Sequence, residues 1–187
     1  MRVKPFALKT DRLILRPFRA TDLTTFAEYR SDPEVARFQS WDTPYTIEQA
    51  NAFFEQMRLA KPGIAGEWYQ FAIERKHQKG LIGDCALYVF SNAYEGEIGF
   101  TLARSHQKMG YATEAVMRLL DYAFSELGLH RITARCDYDN AASARLLERI
   151  GMRQEARFLE NTWFKGRWSS EYGYAMLYAE WSDTRPK

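Results

Sequence analysis

The sequence predicts an α/β sandwich, a central mixed sheet with helices on both faces. Three observations predict it. β-rich runs and helical segments succeed one another in the order strand, two helices, three strands, helix, strand, helix, two strands. The unit from Glu97 to Cys136 reads strand, glycine-containing turn, amphipathic helix, strand, which folds as a right-handed parallel crossover. Short turns at His77 to Gly80 and Asn92 to Glu95 join other strands, and Lys165-Gly166-Arg167 reads as a hairpin-like turn.

Each element has a local reason. Leu13-Ile14-Leu15 is a β-rich run stopped by Pro17. Thr21-Asp22 offers an N-cap for a helix through Tyr29, which Ser31-Asp32-Pro33 ends. Thr46-Ile47-Glu48-Gln49 is a capping box opening a second helix to about Leu59, closed by Lys61-Pro62-Gly63. Trp68 to Glu74 alternates apolar and polar residues, and Leu81 to Phe90 and Glu97 to Leu102 are β-rich. After Gly110, Val116, Leu119, Leu120, Ala123, Phe124 and Leu127 fall on one helical face, with Gly128 as terminator. His130 to Cys136 is a strand, and Asn140 to Ile150 is a helix with Leu146, Leu147 and Ile150 inward, ended by Gly151. Arg153 to Phe164 and Glu171 to Tyr178 are the last strands.

A chain of 187 residues suits one domain, expected to span 1–187. With 46% hydrophobic and 27% charged residues it reads as soluble and globular, and a net charge of +2 with interleaved signs provides no basic stripe for nucleic acid. No apolar run approaches the roughly 18 residues of a membrane span. The start, MRVKPFALKTDR, has no apolar core of a signal peptide. Cys85 and Cys136 lie far apart, so a reduced, cytoplasmic setting is expected. His77, His106 and His130 have no metal-ligand spacing, so no metal is expected.

The chemistry points to one segment, Gln107-Lys108-Met109-Gly110-Tyr111-Ala112-Thr113. A strand feeding a glycine turn and a helix start presents free N–H groups and a favourable dipole to an anion. Neither G-x-x-x-x-G-K-[ST] nor G-x-G-x-x-G occurs, which argues against a nucleotide triphosphate or nicotinamide dinucleotide. The same segment also fits an ordinary loop entering a helix.

Gln107, Gly110 and Ala112 match the [QR]-x-x-G-x-[GA] pattern of the GNAT acyltransferases, and the element order resembles that fold over essentially the whole chain. The branch containing ribosomal-protein N-terminal acetyltransferases is closer still. Thr10-Asp11-Arg12-Leu13-Ile14-Leu15-Arg16 resembles its first strand, and Gly110-Tyr111-Ala112-Thr113-Glu114-Ala115, Asp139-Asn140-Ala141-Ala142-Ser143 with Ile150-Gly151-Met152, and Gly166-Arg167-Trp168 with Glu180-Trp181 resemble its later motifs. The resemblance implies a parallel strand pair that splays apart, acetyl-CoA as acetyl donor, and direct transfer to a primary amine in a ternary complex. It implies that residues Gln107 to Thr113 hold the pyrophosphate, that Phe100 and Leu102 lend backbone groups to the pantetheine arm, and that Asn140 and Ser143 face the cofactor. By analogy it also implies a homodimer.

Glu97 is the candidate base, with a solvated surface acid as the plain alternative; Glu95 and Asp84 are its rivals. Asn140 also fits a simple N-cap, and Ser143 a small packing residue. Many GNATs place a tyrosine seven residues after this asparagine to protonate the thiolate; here that position is Leu147, which leaves Ser143, Tyr138 or water. Trp41, Trp163, Phe164 and Trp168 are expected near the acceptor cleft, again by resemblance. The acceptor is expected to be a protein N-terminal amine, with a polyamine, amino acid or antibiotic as the rival. Two other classes stay open, a non-catalytic acyl-CoA sensor and a nucleotide-binding protein.

Overall fold

Eight strands form one sheet in the order β1-β2-β3-β4-β5-β6-β8-β7 in the computed structural model, which describes residues 6–183. The first residues of the N-terminal segment read above, 1–5, lie outside that range. The strands are β1 (Leu8–Lys9), β2 (Leu13–Arg16), β3 (Trp68–Arg75), β4 (Leu81–Val89), β5 (Glu95–Leu102), β6 (Arg131–Asp137), β7 (Arg153–Phe164) and β8 (Arg167–Leu177). The helices are α1 (Leu23–Arg30), α2 (Pro33–Ala36), α3 (Ile47–Leu59), α4 (Tyr111–Asp121), α5 (Ala141–Arg149) and α6 (Tyr178–Asp183). Among the strands of the described residues only β5 and β6 pair in parallel; every other neighbouring pair is antiparallel. The mixed sheet with a parallel crossover through α4 is as the sequence predicts.

Strand alternation builds two cores. On one face Phe71, Ile73, Cys85, Leu87 and Ile98 pack with Val116, Leu119, Leu120 and Phe124 of the α4 segment and Leu146 and Leu147 of α5. On the other, Ala72 and Leu81 pack with Phe26, Tyr29, Val35, Tyr45 and Ala50 of α1 to α3. The hairpin turn Lys165-Gly166 has positive φ at both residues (48° and 81°), the form whose twist matches its flanking strands.

The structure departs from the sequence reading at several elements. Leu8–Lys9 forms an extra strand on β2, too short to show a period. Asp32 does not simply end a helix; its side chain accepts from Glu34 N and opens the short α2. The helix after Gly110 changes to a π-helical turn at Tyr122–Glu126. The last strand stops at Leu177, and Tyr178 starts α6.

Asp22 stands at the N-cap position of α1, as expected, but its side chain does not cap the helix. Its carboxylate is buried and takes both terminal nitrogens of Arg16 (2.7 and 2.8 Å), while Arg16 Nε reaches Glu74 at 2.5 Å. This triad ties β2 and β3 to the entry of α1. Removing Arg16 leaves Asp22 held by the Arg19 N–H (2.7 Å) and Glu74 by the exposed Arg19 guanidinium (3.3 Å), without their buried countercharge. Arg16→Met is therefore expected to cost about 3–5 kcal/mol, read from the urea unfolding midpoint.

Candidate active site

β5 leaves the sheet at Leu102 and passes through a 3-10 turn, Arg104–His106, into the loop that opens α4. Gln107 Nε2 donates to the Leu102 carbonyl (3.0 Å), closing the loop back on the strand. Lys108 and Gly110 both adopt left-handed backbone, φ 61° and 78°. Gly110 occupies the N-cap position with no side chain to cap the helix. Intrahelical bonding begins with Glu114 N to Gly110 O (3.1 Å), so the N–H groups of Tyr111, Ala112 and Thr113 have no helical acceptor. Three convergent amides at the positive end of a helix make an anion cradle.

Beside the cradle the sheet parts. β5 and β6 pair over Glu95–Ile98 and Arg131–Ala134 and no further, although β5 stays on β4 to Leu102 and β6 stays on β8 to Asp137. The edge of Gly99 to Leu102 facing β6 therefore has no strand partner. A cavity of about 620 Å³ lies at this opening, lined by Phe100, Thr101 and Leu102 from β5, by the loop and α4 start, and by Asn140, Ser143 and Leu146 at α5, with Val35 and Phe38 across from them. Of the residues expected at the cofactor, Phe100, Leu102, Gln107, Lys108, Gly110, Tyr111, Ala112, Thr113, Asn140 and Ser143 all line it; Met109 does not. Asn140 Oδ1 accepts from Ser143 N at 3.2 Å, the N-cap role, so its amide nitrogen is the end left for a ligand.

The acid–base candidates separate. Glu97 does not line this cavity. It is half-buried one residue before the last β5–β6 pair, on the face of Thr101 and Asp84, between Tyr88 and Thr133 in register. Burial raises its carboxyl pKa above the usual range; Arg135 opposes the shift and Glu171 adds to it. Of its rivals, Asp84 is buried and accepts from the Tyr29 hydroxyl, with Arg30 at 3.8 Å, and Glu95 accepts from Asn92 Nδ2 at 2.9 Å. Tyr138 lies outside the cavity, exposed, with its ring 5.0 Å from Tyr172 and beneath Arg157. Leu147 is buried in the core. Among the described residues, no three His, Cys, Asp or Glu side chains gather to hold a metal ion.

The aromatic residues divide likewise. Trp41 has a structural task, donating from Nε1 to Arg30 O (3.0 Å) and covering the Arg30 guanidinium at 3.9 Å. Trp163 and Trp168 meet edge to face (ring centres 5.5 Å apart, planes at 75°), exposed, near the tip of the β7–β8 hairpin. Lys165 at that tip donates to the carbonyls of Ala36 and Trp41, both at 2.8 Å.

The sequence pointed to Lys108 but not to the other basic residues of this cavity. Arg104, Arg145 and Arg149 line it with Lys108, and none of the four has an acidic partner among the described residues. The i, i+4 spacing of Arg145 and Arg149 was the available signal. Arg12, in the first-strand motif, contacts the loop before α4 directly, with Nη1 on Met109 O at 3.0 Å.

The family model described as "Acetyltransferase (GNAT) domain" matches residues 12–153. The chain belongs to the GNAT acetyltransferase family. The uncharacterised N-acetyltransferase YnaD of Bacillus subtilis is 34% identical over 175 residues, 94% of this chain and 99% of YnaD. YdaF of the same species, provisionally named a ribosomal N-acetyltransferase, is 31% identical over 126 residues, 63% of this chain and 69% of YdaF. The crystal structure of a GNAT-family acetyltransferase from Bacillus anthracis superposes with a TM-score of 0.84 at 30% identity, covering 93% of this chain and 99% of that one. The GNAT chain is thus an acyltransferase acting on nitrogen, and acetyl-CoA is the acetyl donor of its family.

Proposed function

We propose that this GNAT protein binds acetyl-CoA in the opening between β5 and β6 and moves the acetyl group directly to an N-terminal α-amine of a protein. One observation carries the proposal. A helix start with three free amides and an unpaired strand edge line a single cavity. An anion and an extended amide-bearing arm, joined in one molecule, match those two surfaces. The unpartnered cations Arg104, Lys108, Arg145 and Arg149 suit the further charge of a polyphosphorylated carrier.

When bound, acetyl-CoA supplies an activated acetyl group as a thioester. Backbone N–H groups of the β5 edge donate to the carbonyl oxygen as charge develops on it. Glu97, poised by burial, takes the proton of the incoming ammonium, and a water bridges the distance, since strand rise puts it about 7 Å upstream of Gly99. Ser143 lines the cavity, and its hydroxyl can hydrogen-bond the departing thiolate. The free thiols are unsuited to a covalent route: burial pushes Cys136 up to about 11 and Cys85 well above its ordinary value. Two buried free cysteines accord with a reducing, cytoplasmic setting.

The choice of a protein terminus rests on the YdaF relationship and on charge balance. Around Glu97 the acids are matched by bases, with Arg135 on Glu171 at 3.8 Å and Arg167 facing Asp137 (3.9 Å) and Asp139 (3.4 Å). A polyamine or aminoglycoside needs a net acidic cleft. Calorimetry with CoA, then a thiol-release screen over N-terminal peptides, polyamines and aminoglycosides, tests the reading. Micromolar CoA affinity with preferred turnover of a peptide terminus is expected. Tight binding without turnover would identify a sensor, preference for spermidine a small-amine enzyme, and absence of CoA affinity would remove the proposal.

A further inference from the structure

Two sequence motifs a hundred residues apart meet at the cofactor loop. Thr10 to Leu13 forms a tight turn, with Thr10 N on Leu13 O at 3.1 Å and Leu13 N on Thr10 Oγ1 at 2.8 Å. The turn aims three donors at Glu114, in the first turn of α4. Thr10 Oγ1 and Arg12 N donate to Oε1 at 2.5 and 2.8 Å, and Arg12 Nε donates to Oε2 at 2.5 Å. The rest of the Arg12 guanidinium reaches over the loop. Nη1 donates to Met109 O at 3.0 Å, the guanidinium carbon lies 4.7 Å from the centre of the Tyr111 ring, and Nη2 sits 3.2 Å from where a Cβ on Gly110 would project. One side chain thus grips the loop at Met109, Gly110, Tyr111 and Glu114.

We propose that Arg12 is a positioning residue for the cofactor: anchored on Glu114, its guanidinium fork holds the Met109–Gly110 turn in the conformation that presents the α4 amides to a diphosphate. The inference rests on the reading of this loop as the diphosphate site. Lys108 supplies the reason a latch is needed. It is a non-glycine residue with φ 61°, a conformation a free loop leaves readily. The Arg12 side chain is half exposed, so its ion pair adds little to global stability. Its effect is local, on the fraction of molecules whose loop is ready to bind, and apparent affinity falls in proportion to that fraction.

The test compares a ligand with the diphosphate against one without it. CoA affinity is measured by calorimetry and pantetheine affinity by NMR titration, in the wild type, Arg12→Ala, Arg12→Lys and Glu114→Gln. Arg12→Ala is expected to weaken CoA by about tenfold or more and pantetheine by less than about twofold. Arg12→Lys, which keeps the charge and loses the fork, is expected to remain weakened. Glu114→Gln is expected to show a smaller loss of the same selectivity, and it decides the matter if Arg12→Ala fails to fold by circular dichroism. Equal losses for both ligands would make Arg12 merely structural. Full affinity in Arg12→Lys would mean that charge alone acts. Undiminished CoA binding in Arg12→Ala would overturn the latch and leave the loop assignment standing. A wild type with no CoA affinity would remove the loop assignment itself.

Discussion

Glu97→Gln is expected to lower acetyl transfer to a verified acceptor by about 10²–10⁴-fold with CoA affinity unchanged, the signature of a lost general base. The pH profile carries the same information. Burial raises the Glu97 pKa above the ordinary carboxylate range, and only the ionised form accepts a proton. The wild-type kcat/KM is therefore expected to climb through that raised value and level off above it, while the glutamine variant loses that limb. The stability sign is opposite. A carboxyl whose folded pKa is raised favours the fold below its unfolded pKa and opposes it as pH rises through the folded value. Glutamine removes that opposition, so the variant is expected to be no less stable than wild type at neutral pH. A thermal melt at pH 7 separates lost chemistry from lost structure. An undiminished rate would remove Glu97 from its role.

Gly110→Val is expected to reduce CoA affinity by about 10–100-fold and stability by about 1–3 kcal/mol. Two features set these sizes. The backbone at φ 78° is costly for a β-branched residue, and a Cβ would come within 3.2 Å of Arg12 Nη2. Relief of either strain turns the peptide plane that aims the first amides of α4. Calorimetry with CoA and urea unfolding read the two effects. Full affinity in the valine variant would show that the diphosphate is held elsewhere.

The lining of the cavity was legible in the sequence because much of it is built from backbone at local patterns. A glycine between a strand and an amphipathic helix, Gln107 before it and the cap residue Asn140 after β6 are local patterns, and all three residues line one cavity. The side-chain network was not legible, because its pairs are distant in sequence. Arg12 and Glu114 stand 102 positions apart. Asp22 looked like a cap by local grammar, yet folding of β3 brought Glu74 close and made Arg16 and Asp22 a buried pair. The burial of Glu97 depended on what covers the β4–β6 face, which strand alternation alone does not reveal. The short elements at Leu8–Lys9, Pro33–Ala36 and Tyr178–Asp183 span too few residues to establish a period.

The parting of β5 from β6 has a mechanical consequence. Within the sheet, β1 to β5 and β6 to β8 join along only the four β5–β6 residue pairs among the described residues. A molecule that fills the gap beyond those pairs and bonds to the free β5 edge would act as a keystone between the two halves. A guest that fits only the joined halves is expected to raise the melting temperature by mass action.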